Sequence, residues 1–252
     1  MAILENKVVL ITGGVSGIGL ATADLLHSEG AIVHAIDLTS TAEGSLPAHL
    51  ESPRFVTHQA DVTQRDQLDA VVATITAQHP QIDVLICNAG ISGAVSEVAT
   101  YPAEVFARVL EVHVMGTFNT VQAALPYIPD QSSIIITSSV TGLVGPPKVS
   151  AYATAKHAQV GFMKSLAAEL APRGIRVNTV NPGPVNNGFQ NDIEERMTGL
   201  DTSQANASFN ELIPLGRHAE MDEIAQAMLF LAGPHSKMIT STTFRVDGGM
   251  AG

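Results

Sequence analysis

Seven apolar runs of strand length recur along the chain, at 7–13 (KVVLITG), 31–37 (AIVHAID), 54–61 (RFVTHQAD), 83–90 (DVLICNAG), 133–139 (SIIITSS), 175–183 (IRVNTVNPG) and 243–249 (TFRVDGG). Most are continuous rather than alternating in hydrophobicity, as strands covered on both faces must be. Helical patterns lie between them, at 17–30, 65–79, 103–126, 151–174 and 221–233. Strand alternating with helix confines the chain to an α/β architecture, a doubly wound Rossmann-type parallel β-sheet flanked by helices with right-handed crossovers. A single unit over 1–252 is expected, since a sheet protein of this length can close one core. Such sheets bind ligands at the carboxyl ends of their strands, so functional residues should follow strands.

Composition removes several function classes. With 45% hydrophobic residues, 15% charged and no low-complexity tract, the chain has the make-up of a folded globular protein. Its formal charge of −11 has no compensating basic cluster, which argues against nucleic acid as a partner. Cys87 is the only cysteine and sits in the apolar run IDVLICNAG, so a buried structural thiol and a reducing compartment are expected. Glu5 and Lys7 interrupt the short apolar stretch at the N-terminus, which fits neither a signal peptide nor a membrane span; the expectation is a cytoplasmic protein with no membrane partner. His27, His34, His49, His58, His79, His157, His218 and His235 show no metal-ligand spacing, so no metal is expected.

One segment departs from the rhythm. Residues 184–215 mix Gly, Asn, Ser and scattered apolar residues without a clean period. They read either as a flap over a site or as a plain surface excursion, and their position directly after a strand favours the flap.

The first run is followed by TGGVSGIG (12–19), in which Gly13, Gly14, Gly17 and Gly19, with Val15, Ser16 and Ile18 between them, open a helix. Glycines there let backbone N–H groups approach a pyrophosphate at a helix N-terminus. The second run ends at Asp37, where a carboxylate can accept from both ribose hydroxyls. Turn and acid together favour a dinucleotide. Asp37 would repel a 2′-phosphate, and Val15, Ser16, Leu38 and Thr39 supply no Arg or Lys for one, so NAD is preferred over NADP.

Tyr152 and Lys156, four apart in a helical pattern, project from nearly one face, about 6 Å apart along the axis. A free phenol titrates near ~10, and a nearby ammonium and an oxidised nicotinamide would each favour phenolate. Ser139 ends the fifth run, where its hydroxyl can bond the substrate oxygen. Taken alone, such a Tyr/Lys pair also reads as an ordinary surface i,i+4 contact.

These pieces resemble the short-chain dehydrogenase/reductase family over essentially the whole chain, and within it an NAD-preferring relative of the 3-oxoacyl-carrier-protein reductases. The matching residues are TGGVSGIG, Asp37, Asp61-Val62, NAG (88–90), Ser138-Ser139, YATAK (152–156), NPG (181–183) and VDGG (246–249), in order and spacing. The resemblance implies hydride exchange between a nicotinamide and an alcohol or carbonyl carbon. It implies Tyr152 as general acid/base, Lys156 lowering its pKa and binding the nicotinamide ribose, and Ser139 orienting the substrate oxygen. It further implies Asp61 and Val62 beside the adenine, and Asn88, Ala89 and Gly90 along the cofactor channel. Pro182, Gly183, Val185 and their neighbours would fix the nicotinamide face.

Two positions depart from the pattern. His113, in HVMG, stands where the family usually has the asparagine of N-x-x-G, which is thought to support a proton relay from the lysine. Either the imidazole relays the proton itself, or backbone geometry suffices and the ring is merely satisfied within the helix, or activity is lost. Because Ser139, Tyr152 and Lys156 remain, His113 is included among the catalytic candidates. Asn187 stands where threonine is frequent and keeps both donor and acceptor groups for the carboxamide.

The expected substrate is a small, largely apolar secondary alcohol or ketone, bounded by residues 141–147 and by Phe189, Met197 and Phe209 of the flap. The resemblance also implies a homotetramer, with the helices at 103–126 and 151–171 as interfaces. An NADPH-dependent ketoreductase and a non-catalytic NAD-binding sensor or scaffold are the competing readings.

Overall fold

The computed structural model describes residues 2–39 and 46–252, so Met1 and residues 40–45 of the expected unit lie outside the described residues. Seven parallel strands form one sheet in the order β3-β2-β1-β4-β5-β6-β7: β1 (Val8–Thr12), β2 (Ile32–Asp37), β3 (Phe55–Gln59), β4 (Val84–Cys87), β5 (Ser133–Thr137), β6 (Arg176–Pro182) and β7 (Thr243–Val246). Each lies within one of the seven apolar runs. Strand order reverses at β1, whose Val9 is in register with Val33 of β2 on one side and Val84 of β4 on the other. That reversal leaves a crevice at the carboxyl ends of β1 and β4.

Alternation within the strands divides the core into two layers. Leu10, Ile36, Leu85, Ile134 and Val177 face one side, where they meet Leu68 and Val72 of α2 (Arg65–Gln78), Val121 of α4 (Gly116–Ala124) and Met163 and Leu166 of α5 (Ser150–Leu170). Val9, Ile11, Val33, Ile86 and Ile135 face the other, against Leu26 of α1 (Gly17–Ser28) and Met228 and Leu231 of α8 (Met221–Ala232). Burial on both faces is why the strand sequences lack alternation. Cys87 belongs to the first layer, and burial pushes its thiol up to about 12, which fits an inert structural cysteine. No described helix is long and apolar enough to cross a membrane.

Two segments differ from the sequence expectation. The helical pattern at 103–126 is not one regular helix: α3 (Ala103–Leu110) and α4 are joined through a π-helical turn, Glu111–Met115, that contains His113. The 184–215 segment holds two helices, α6 (Gly188–Thr198) and α7 (Thr202–Asn210). Their caps are regular, with Asn187 Oδ1 accepting from Gln190 N, Asp201 Oδ1 accepting from Gln204 N, and Gly199 left-handed between them at φ 73°. The missing periodicity has a physical cause. Only Ile193 and Glu194 of α6 and Ala205 of α7 are buried, so no apolar stripe marks either helix, and one of the buried residues is an acid.

Candidate active site

A cavity of about 620 Å³ opens at the carboxyl ends of the strands, from Asp37 at the tip of β2 to Tyr152 in the first turn of α5. At its first end, the turn after β1 brings Gly13, Ser16, Gly17 and Ile18 to the wall. Ser16 is the N-cap of α1 but gives it no side-chain bond, so the first-turn N–H groups lack a side-chain partner. Gly17 has φ 51°, and a Cβ built on it would meet nothing within 4 Å; the turn is shaped as an open cradle before a helix N-terminus. Asp37 and Leu38 also line the cavity, with Leu38 N donating to Asp37 Oδ1 at 2.8 Å.

Val15 and Gly19, both expected at the cofactor, do not line the cavity. Val15 packs against the α1/α8 layer, and a Cβ on Gly19 would come within 1.8 Å of Gly13 O. Gly19 therefore serves the close approach of helix to strand rather than a ligand.

The middle of the cavity is set by hydrogen bonds between strand ends. Thr12 Oγ1 accepts from the N–H groups of Asn88 (3.0 Å) and Ala89 (3.2 Å), while Asn88 Nδ2 donates to Gly13 O and Asn88 Oδ1 accepts from Thr137 Oγ1, each at 3.1 Å. Asn88 thereby ties β1, β4 and β5 together at the point where Asn88, Ala89 and Gly90 form the wall. A threonine ending a strand is too common to signal such a tie, so the roles of the Thr12 and Thr137 hydroxyls are visible only in the structure. Asp61 and Val62 lie on the same wall. Burial opposes charge on Asp61, but bonds from the Thr63 N–H and hydroxyl and from Arg108 outweigh it and hold the carboxyl below its ordinary range.

At the far end, Ser139, Tyr152 and Lys156 come together, with Pro182, Gly183, Val185 and Asn187 opposite. The Ser139 hydroxyl faces the Tyr152 phenol closely enough to favour its ionised form. Lys156 Nζ lies 5.4 Å from the centre of the Tyr152 ring and donates to Thr137 O at 2.7 Å. Ser138 Oγ fixes the same helix by donating to Lys156 O. Burial governs both titrating groups: it pushes the phenol up to about 12, against the opposing influence of Ser139, and the Lys156 ammonium down to about 7. The chain's own groups thus leave the phenol protonated at neutral pH. Asn187 commits its Oδ1 to the α6 N-cap, which leaves its amide N–H groups for a ligand.

His113 is 1% exposed and packs edge-on against Tyr152, with ring centroids 5.4 Å apart. Its Nε2 lies 2.8 Å from Ile91 O and 3.1 Å from Ile91 N; whichever tautomer it takes, Nδ1 is the nitrogen without a partner among the described residues. Burial, reinforced by the Lys156 charge, pushes the imidazole down to about 3, so the ring is neutral. Gly90 makes room for it, since a Cβ there would fall 2.3 Å from His113 Cε1. The π-helical turn frees the His113 carbonyl, which accepts from Thr117 Oγ1 (2.6 Å) and from Gln159 Nε2 of α5 (3.1 Å).

Of the expected substrate walls, Phe189 lines the cavity, its ring centroid 6.2 Å from that of Tyr152, whereas residues 141–147, Met197 and Phe209 do not line it. α6 carries Met197 two turns beyond Phe189, about 12 Å along the axis. Gln190, next to Phe189, joins the wall instead. No group of three or more potential metal ligands occurs among the described residues.

The family model described as enoyl-(acyl carrier protein) reductase matches residues 13–251. The chain is 39% identical over 251 residues to 3-oxoacyl-[acyl-carrier-protein] reductase FabG of Thermotoga maritima, covering 98% of each. The crystal structure of levodione reductase superposes with a TM-score of 0.92 at 29% identity, covering 98% of both chains. That of NAD+-bound xylitol dehydrogenase superposes with a TM-score of 0.89 at 30% identity, over 98% of this chain and 99% of the other. The chain therefore belongs to the short-chain dehydrogenase/reductase family, whose members bind nicotinamide cofactors.

Proposed function

We propose that the protein is an NAD(H)-dependent oxidoreductase that interconverts a secondary alcohol and a ketone on a small, largely apolar substrate. The observation that carries this reading is the meeting of Ser139, Tyr152 and Lys156 at one end of the cavity whose other end holds the glycine turn and Asp37.

The residues fit the cofactor. The open cradle at Gly17, the uncapped first turn of α1 and the Asp37 carboxylate suit a pyrophosphate and a ribose with free hydroxyls. NAD is preferred to NADP because the two cations on the cavity wall are already engaged: Arg108 pairs with Asp61 and Glu111, and Lys156 donates to Thr137 O. The sequence from Asp37 to His49 adds no Arg or Lys. When bound, the cofactor supplies the hydride acceptor or donor and, oxidised, a positive ring near the phenol.

Tyr152 holds the proton that leaves or joins the substrate oxygen, and Ser139 donates to that oxygen and fixes its position. Lys156, its ammonium pushed down to about 7 by burial, is poised to pass a proton near neutral pH. His113 acts as a neutral ring: it braces Tyr152, positions the Ile91 backbone and offers Nδ1 as the one unengaged nitrogen beside the lysine's charge. Phe189 and Ile91 give the substrate pocket an apolar lining. Self-association as a tetramer is part of the same reading, supported by Met115 and Phe118, exposed beside Phe162 on the α4/α5 surface. A cytoplasmic setting and one domain complete it.

A panel of secondary alcohols and ketones assayed with NAD(H) and NADP(H) tests the reading through reduced-nicotinamide absorbance. Turnover with NAD(H) favoured supports it. Saturable NAD binding without turnover of any compound would point to a sensor, and a strong NADP preference would overturn the role given to Asp37.

A further inference from the structure

Above the catalytic end, the flap contains a buried pair of charge-bearing side chains that no catalytic step uses. Glu194 of α6 is 0% exposed, and His218, in the segment between α7 and α8, is 7% exposed; His218 Nε2 lies 2.8 Å from Glu194 Oε1. The other ring nitrogen, Nδ1, lies 2.7 Å from Asn210 Oδ1 at the end of α7. Both ring nitrogens of His218 are thus engaged, one by a carboxylate and one by an amide. The carboxylate is satisfied on its remaining sides: Gln190 Nε2 donates to Oε1 at 2.8 Å, and the Asn206 amide, in its hydrogen-bonding orientation, donates to Oε2 at 2.8 Å.

The placement of this pair matters more than its strength. His218 precedes Ala219, which pairs with Val185 as a parallel bridge, with Ala219 N donating to Pro184 O and Asn186 N donating to Ala219 O. The two ends of the flap are thus joined beside the cavity wall, and Glu194 anchors α6 and α7 to that junction. Gln190, bonded to Glu194, is itself a wall residue, and Phe189 is its neighbour. Across the cavity mouth, Arg196 of α6 donates to Gly93 O at 2.8 Å and to Ser92 Oγ at 3.0 Å. The helix that carries Phe189 is therefore held on both sides, and only the Glu194–His218 side is buried.

Resting on the function proposed above, we infer that Glu194 and His218 are positioning residues for the substrate: they fix Phe189 and Gln190 against the Tyr152 end of the cavity without touching the reacting atoms. A buried polar group left without its partner is costly, so losing either side chain should release the flap.

Glu194→Gln and His218→Gln should raise the substrate KM roughly tenfold while kcat and the dissociation constant for NAD stay within about threefold, because the triad and cradle are untouched. Asn210→Ala, which leaves the Glu194–His218 contact in place, should raise KM by a smaller factor, about two- to fivefold, and it decides the matter if the first two variants do not fold. Hydrogen–deuterium exchange gives a readout independent of turnover: amides of 188–210 should exchange faster in Glu194→Gln, with β1, β4 and β5 unchanged. Unaltered exchange and KM in the folded variants would overturn the inference, as would kcat falling in step with a global rise in exchange. If no substrate is found for the wild type, the exchange result still decides the flap's anchoring while the proposed activity fails separately.

Discussion

The His113 imidazole stands edge-on to the Tyr152 ring, with planes at 86° and centroids 5.4 Å apart. The proposed general acid/base is thus braced by the residue that departs from its family's pattern. With its imidazole pushed down to about 3, His113 contributes no ionisation between pH 5 and 8. His113→Ala should lower kcat by about 10- to 100-fold, His113→Asn and His113→Gln by less, and none should introduce or remove a limb of the pH–rate profile in that range. Profiles identical to wild type in height and shape for all three would remove any side-chain role.

Lys156 bears on stability as well as activity. Burial brings its ammonium down to about 7 in the fold from about 10.5 in an unfolded chain. Between those values the unfolded state binds more protons, so the lysine's cost to folding is greatest below pH 7 and fades as pH rises toward 10.5. Lys156→Met should therefore raise the unfolding free energy at pH 7 by several kcal/mol while lowering kcat by about two to four orders of magnitude. Denaturant unfolding at pH 7 and pH 10 checks this, with the gain expected to shrink at the higher pH.

A histidine cluster on β2, on β3 and after α2 is expected to make stability sensitive to acid. His34 Nδ1 and His58 Nε2 are 2.9 Å apart, and the His79 ring lies 5.4 Å from that of His34. Burial, followed by the neighbouring His58 and His79, lowers His34 to about 4. Here too the unfolded chain binds the proton first, so stability should fall as pH drops from about 6.5 toward 4, by about 1–3 kcal/mol from this residue. His34→Leu should flatten that limb in unfolding midpoints recorded from pH 7 to pH 4.

The sheet was readable because strands buried on both faces need largely continuous apolar runs. The meeting of Ser139, Tyr152 and Lys156 on one cavity was readable for a related reason: they occupy fixed offsets from strand and helix ends. What escaped depends on contacts that have no local spacing. Glu194 and His218 are 24 positions apart, and a buried acid erased the stripe that would have marked α6. The π-helical turn at Glu111–Met115 leaves hydrophobic spacing intact, so 103–126 read as one helix. Val15 and Gly19 belong to the glycine turn by sequence, yet their packing faces α8 and Gly13 rather than the cavity.

The proposed preference for NAD rests on one carboxylate. Asp37 lines the cavity and has no cationic partner among the described residues. Asp37→Ser should lower kcat/KM for NAD by about tenfold and raise it for NADP by at least as much, since it removes both the ribose acceptor and the repulsion of a 2′-phosphate. Initial rates with each cofactor at a fixed substrate concentration measure the switch, and an unchanged ratio would mean that another group selects the cofactor.

The most direct test is the rate of NAD-linked turnover in wild type and Tyr152→Phe, on whichever alcohol or ketone the wild type accepts, alongside NAD affinity by fluorescence titration. The phenylalanine variant should lose about a thousandfold or more in turnover and bind NAD within a few-fold of wild type. Turnover that survives the loss of the phenolic oxygen would contradict the account.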